Sequence, residues 1–275
     1  MTSDKNDPGY LHGYTPKEQD RLMEQARYLE DRIHDRLPFR RCNNLVEVGC
    51  GVGAQTSILT RYFPELHVTG LDRSPENLGR ARKNLADCAW AEGRYDFQQA
   101  EADTLPFEPN TFDGAFLCWI LEHVADPLRV LSEVRRVLRP GSPIVCNEVL
   151  NATFFIDPYS PATLDFWRAF NDHQYELGGD PFVGAKLGNL LQTVGARDVD
   201  TDVKVIHLDN RMPGERAQYL GFWTDLLLSA APGLLDAGRI GKETVEEMKN
   251  ELAAIGRNPN AVFFYSFVQA RARVW

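Results

Sequence analysis

Through residue 149, short apolar runs alternate with longer stretches of helical spacing. Ahead of them, Thr15-Pro16 with Glu18 reads as an N-cap, a first-turn proline and a capping-box glutamate. Leu22, Ala26, Leu29 and Ile33 then recur at helical spacing, which predicts one amphipathic helix ending before Pro38. Residues 1–14 are expected to be disordered or loosely docked. Runs at about 44–48, 66–71, 94–99, 114–118 and 143–149 predict strands. Between them, helices are expected at about 54–63, at 74–89 with Ser74 as N-cap, and from Pro127, where Val130, Leu131, Val134 and Leu138 share a face. Such alternation predicts an α/β fold, a doubly wound parallel sheet with right-handed crossovers and helices on both faces. The second half is less regular, with an aromatic-rich stretch at 151–177, a helix near 182–194, a strand near 199–208 and two or more helices in 214–256. The segment 261–274 alternates as a strand that pairs antiparallel at the sheet edge.

The first strand runs into Glu47-Val48-Gly49-Cys50-Gly51-Val52-Gly53, and the second ends at Asp72. Glycines at 49, 51 and 53 remove side chains where the backbone turns sharply and lies against a ligand, and Asp72 is spaced to hold ribose hydroxyls. The glycine pattern alone also suits a dinucleotide pyrophosphate on a helix N-terminus. Glu47 separates the two readings, because a carboxylate just before the loop repels a pyrophosphate and attracts an ammonium. S-adenosylmethionine carries adenosine, an ammonium and a sulfonium, and is the ligand this combination favours.

Composition narrows the partners. At 275 residues and 43% hydrophobic, the chain can bury one large core with an appended cap. A formal charge of −9 argues against non-specific nucleic-acid binding and adhesion to anionic membranes, leaving a small-molecule partner. The polar N-terminus lacks an apolar signal core and no run of eighteen apolar residues occurs, so the cytoplasm is the expected compartment. Five cysteines without CxxC or His/Cys spacing indicate neither a disulfide framework nor a metal site.

Glu47–Gly53, Asp72, Leu105-Pro-Phe107, Phe112-Asp113, Leu121-Glu-His-Val124 and Leu138-Arg-Pro-Gly141, in this order and spacing, resemble class I S-adenosylmethionine-dependent methyltransferases, in particular the small-molecule branch with the ubiquinone/menaquinone-type enzymes. Each motif alone is weak; together in register they are specific over about 44–150, and the remainder is similar in topology only. The resemblance implies a Rossmann-like doubly wound seven-stranded sheet, mostly parallel, with an antiparallel C-terminal strand and helical cap insertions. A single domain is expected, made of an N-terminal helical lid (1–40), a cofactor-binding core (41–150), cap insertions (151–180 and 210–257) and a terminal edge strand (258–275).

For the cofactor, the resemblance implies Gly49, Cys50, Gly51 and Gly53 along the methionine and ribose, Glu47 near the ammonium directly or through water, and Asp72 on the ribose hydroxyls with Arg73 beside the adenosine. Glu101 is placed against the adenine amine and Ala102 against the ring, with Asp103 as the alternative under a one-residue change of register. Cys118 and Trp119, closing the fourth strand, wall the methyl-transfer site, and Gln25 closes it from the N-terminal helix. S-adenosylhomocysteine would be the product.

On the acceptor side, methyl transfer from a sulfonium is an in-line displacement from an activated donor, so positioning and desolvation carry much of it. His123 and Glu148 are the candidate proton acceptors. Tyr14, Phe155, Trp167, His173, Tyr219 and Trp223 are candidates for an apolar, water-excluding pocket suited to a small metabolite methylated on nitrogen or oxygen, and Arg211 for a substrate acid. Apolar cap helices and the terminal strand are compatible with a monomer or a homodimer. Two other readings stay open on the sequence: an NAD(P)-dependent oxidoreductase, and a non-catalytic protein that keeps the cofactor pocket.

Overall fold

A computed structural model describes Gly13 and residues 15–275. The pocket role expected of Tyr14 lies outside the described residues, as does the loose docking expected of residues 1–14, Gly13 apart.

The chain opens with α1 (Pro16–Ile33), whose N-cap Thr15 accepts the Glu18 N–H as the capping pattern predicts. Five parallel strands follow: β1 (Asn44–Val48), β2 (His67–Asp72), β3 (Tyr95–Gln99), β4 (Gly114–Cys118) and β5 (Pro143–Val149), with α2 (Ala54–Tyr62), α3 (Pro75–Ala86) and α4 (Pro127–Val137) between them. Beyond β5 come a short β6 (Phe155–Asp157), α5 (Pro161–Glu176), α6 (Leu187–Thr193), β7 (Arg197–Leu208), α7 (Pro213–Asp236), α8 (Lys242–Arg257) and β8 (Val262–Arg273). The sheet order is β3-β2-β1-β4-β5-β8-β6, with β7 on the other side of β8. Seven strands were expected; the eighth is the three-residue β6, which extends the β5 side of β8.

Winding reverses between β1 and β4, which pair with Val48 opposite Leu117. At such a switch point the helices leave in opposite directions and open a crevice at the carboxyl ends of the strands. One face of the sheet packs Leu45, Val68, Phe116 and Phe267 with α1, α5, α7 and α8; the other packs Val46, Val48, Leu117 and Ala270 with α4 and α6.

The terminal strand is not at an edge. β8 pairs antiparallel with β5 on one side and with β7 on the other, Val149 opposite Phe267 and Lys204 opposite Phe267. Its run Tyr265, Ser266, Phe267, Val268, Gln269 and Ala270 is buried without interruption, the pattern of a strand covered on both faces rather than of an exposed rim. The edge is β7, which alternates buried Lys204, Ile206 and Leu208 with exposed Val203, Val205 and His207.

Candidate active site

The crevice at the switch point is a cavity of about 1000 Å³, walled on one side by the loops after β1 to β4 and on the other by α1, α5 and α7. Its floor begins at the glycine loop. The Gly49 and Cys50 N–H groups both donate to Leu71 O at 2.8 Å, which folds the loop back over the end of β2. Gly51 has φ +53°, and a side chain there would point into open space. Gly53, at φ +73°, has another reason to lack a side chain: a Cβ would sit 2.7 Å from Leu85 Cδ1 and 3.1 Å from Ala81. Gly49, Cys50 and Gly51 line the cavity; Gly53 does not, and serves the packing of α2 on α3 instead.

Asp72 faces the cavity from the end of β2. Its Oδ2 accepts the Gly51 N–H at 2.8 Å and its Oδ1 the Ser74 N–H at 2.9 Å, so the carboxylate is held rigid with acceptor capacity to spare. Burial pushes its pKa upward, against those hydrogen bonds. Arg73, Glu101, Ala102 and Asp103 continue the same wall. Asp103 is drawn to Arg129, Oδ2 to Nε 3.2 Å.

Glu47 is not part of the wall. It is 2% exposed, beneath the loop, where its Oε2 accepts the Thr56 hydroxyl at 2.5 Å. Burial raises its pKa to about 8, so near neutral pH it is largely the uncharged acid. Of the two contacts expected with a ligand ammonium, direct or through water, the buried side chain offers no direct one, and it braces β1 against α2.

Glu148 also changes role. It is fully buried in β5 and absent from the cavity wall, and its carboxylate accepts the N–H groups of Ile120 (3.1 Å), Leu121 (2.8 Å) and Glu122 (3.3 Å). Burial, then the neighbouring Glu122, pushes its pKa well up. It anchors the turn after β4 and faces no acceptor pocket, because its side chain is aimed at β4 rather than out of the strand end.

The end of β4 and that turn carry Cys118, Trp119 and His123, all on the cavity wall. Trp119 sits at φ +58°, an uncommon conformation for a bulky residue, held by its N–H to Asn147 O (2.9 Å) and an edge-to-face contact with Phe267. His123 Nε2 is 3.6 Å from Glu122 Oε1, and Glu122 Oε2 in turn accepts from Gln174. Burial lowers the His123 pKa, opposed by Glu122.

The far half of the cavity is aromatic: Trp167, Phe170, Tyr219, Phe222, Trp223 and Tyr265. Trp167 stacks on Phe170 at 5.3 Å and packs on Trp223 at 5.2 Å. Asn151, just past β5, knits this half together: its O accepts the Trp167 indole N–H (3.0 Å), its Oδ1 the Tyr265 hydroxyl (2.8 Å), and its Nδ2 donates to Asn171 (2.7 Å). From α1, Arg21 forks onto Glu18 (Nε 2.7 Å, Nη2 2.5 Å), donates to Gln25 Oε1 (2.9 Å) and lies over the Phe222 ring. Gln25 therefore reaches the cavity as expected of it.

Three acceptor-side expectations fail. Phe155 is 54% exposed on β6, and the residue turned inward is its neighbour Phe154, stacked on Trp223. His173 lies on α5 outside the cavity wall, since the helix turns Trp167 and Phe170 to the cavity. Arg211 is exposed and bound to Asp209, whose pKa it pulls down to about 2. Arg21, Asn151 and Tyr265 were not singled out from sequence. Arg21 had a signal, standing three residues after Glu18 and four before Gln25 on one helix face; Tyr265, on a distant strand, had none.

The model of a methyltransferase domain matches residues 46–146. An O-methyltransferase of Penicillium expansum, cnsE, is 31% identical over 201 residues, covering 71% of this chain and 68% of that protein. The demethylmenaquinone methyltransferase of Symbiobacterium thermophilum is 35% identical over 111 residues, 40% of this chain and 44% of that one. Among solved structures, a Haemonchus contortus phosphoethanolamine N-methyltransferase, in complex with phosphomonomethylethanolamine and S-adenosylhomocysteine, superposes with TM-score 0.60 at 15% identity, covering 99% of this chain and 61% of that one. The chain belongs to the class I S-adenosylmethionine-dependent methyltransferases. Its reaction is methyl transfer from S-adenosylmethionine, which sets aside the oxidoreductase reading. Among the described residues, no helix is long and apolar enough to cross a membrane.

Proposed function

We propose that this enzyme methylates an oxygen or nitrogen of a small, largely planar metabolite in the cytoplasm, the acceptor lying in the aromatic half of the cavity. One observation carries the reading: a polar wall of glycine-loop and strand-end groups and an aromatic wall meet at Cys118–Trp119 within a single cavity. The residues present suit the donor. Space at Gly51 would admit it, Asp72 would offer rigid acceptors to the ribose hydroxyls, Arg73 would flank the adenosine, and Glu101 would accept from the adenine amine with Ala102 against the ring, Asp103 being held by Arg129. Gly49, Cys50 and Gln25, also on the wall, would border the methionine end.

When bound, the donor supplies an electrophilic methyl group on a sulfonium. Trp167, Tyr219 and Trp223 then orient the acceptor and exclude water, so that attack in line with the departing sulfur needs little reorganisation. Where the acceptor atom must lose a proton, His123 is placed to take it, because its lowered pKa keeps the imidazole neutral. Glu148, committed to three backbone N–H groups, takes no part.

The test is incubation with S-adenosylmethionine labelled in the methyl group and fractionated metabolites, with Asp72→Ala as control. Label in a small aromatic or amphipathic product, lost in the variant, is expected; label in protein or nucleic acid, or none in any fraction despite cofactor binding, would refute the reading.

A further inference from the structure

We propose that the outer edge of β7 pairs antiparallel with β7 of a second copy of this chain, Val203 on the twofold axis, making a homodimer with one continuous sheet. Among the described residues, no strand pairs with that edge. At twelve residues it is long for an edge strand, and a long unpaired edge with exposed apolar side chains is a template for another strand.

The backbone fixes which residues face outward. Opposite Val205 stands Ser266, whose N–H and C=O are both taken by the Thr153 hydroxyl on the side away from β7. Val205 O in turn accepts from the Arg32 side chain, away from β8. Since hydrogen-bonding direction alternates along a strand, Thr201, Val203, Val205 and His207 direct their N–H and C=O groups to the free edge. Their side chains share the exposed face, Val203 at 53% and Val205 at 45%.

A twofold axis through Val203 puts Val203 on its own copy and Val205 against Thr201, covering both exposed valines. Within each chain Lys204 already pairs with Asp202 at 2.9 Å, and the same register sets each of these ion pairs against the other copy's with Asp202 opposite Lys204, so that the charges alternate across the axis. Moving the axis to Thr201 would place Asp202 opposite Asp200, a like-charge clash. Moving it to Val205 would leave Lys204 opposite Ile206. Among these hydrogen-bonding registers, the sequence is therefore self-complementary in charge only about Val203. Arg32 occupies one lone pair of Val205 O at 3.4 Å, and the carbonyl keeps a second. The dimer leaves the cavity open, since β7 contributes no residue to its wall.

Sedimentation of the full chain from low to high micromolar concentration tests this, independently of any methyl acceptor. A reversible monomer–dimer equilibrium is expected. Val203→Lys and Val203→Glu, at an exposed position and checked by circular dichroism, are each expected to sediment as monomers, because like charges meet on the axis. Mixed in equal amounts they are expected to dimerise again, lysine facing glutamate. A wild type that stays monomeric throughout, a dimer unchanged in either variant, or a mixture that remains monomeric would overturn the proposal.

Discussion

Replacing Glu47 with glutamine keeps the shape of a buried side chain and removes its titration. In the folded protein the Glu47 carboxyl has a pKa of about 8, against 4.5 ordinarily, chiefly because burial disfavours the anion. The folded state thus holds a proton that the unfolded chain has lost between these values. Stability from this group is fully present below pH 4.5 and declines as pH rises to about 8. At ~1.4 kcal/mol per pH unit, the decline amounts to at most about 5 kcal/mol. Glutamine still accepts the Thr56 hydroxyl but brings a second N–H without an evident acceptor, at about 1–3 kcal/mol. Urea unfolding of wild type and Glu47→Gln at a series of pH values should therefore give curves that cross. The wild type is the more stable below about pH 5, and the variant is ahead by a few kcal/mol above pH 8, where the anion is fully formed. Taking the difference between the two proteins cancels every other titrating group. A difference that does not change with pH would refute the reasoning, and would mean that Glu47 is charged in the folded protein at neutral pH, as its sequence context suggested.

The two central glycines should separate binding from folding: Gly51→Val costs about 1–2 kcal/mol for its positive φ but blocks the cavity, abolishing S-adenosylhomocysteine binding by calorimetry. Gly53→Ala, forced against Leu85 and Ala81, costs about 2–4 kcal/mol in chemical denaturation. Glu148→Ala leaves the N–H groups of Ile120, Leu121 and Glu122 without their acceptor and should lower stability by about 3 kcal/mol or more. Glu148→Gln, which keeps an acceptor for part of that turn, should lower the unfolding midpoint while leaving the pH profile of turnover in place; loss of the limb on which turnover rises with pH would make it a proton acceptor after all.

The glycine-loop half of the cavity was legible because it is built from neighbours in sequence. A strand, a glycine turn and a helix fix where Gly49, Cys50 and Gly51 stand, and Asp72 follows one crossover later, so local geometry alone brings them to one cavity wall. Glu101, Ala102, Cys118, Trp119 and His123 follow from the same rule, each at the end of a parallel strand or a few residues past it. Depth was not legible. Glu47 and Glu148 stand beside strand ends exactly as pocket residues do, yet each turns inward, one to Thr56 and the other to the amides after β4.

By itself the sequence determined the parallel core, the crevice at the switch between β1 and β4 and the loops that line it, since strand periodicity, caps and glycine turns act over a few residues. Only the tertiary structure decided which aromatic residues face the cavity, as helix packing turns Trp167 and Trp223 inward and leaves Phe155 in solvent. It also placed β8 between β5 and β7 and left β7 at the rim, because strand order follows from which faces the helices cover, a property of the whole chain rather than of any segment.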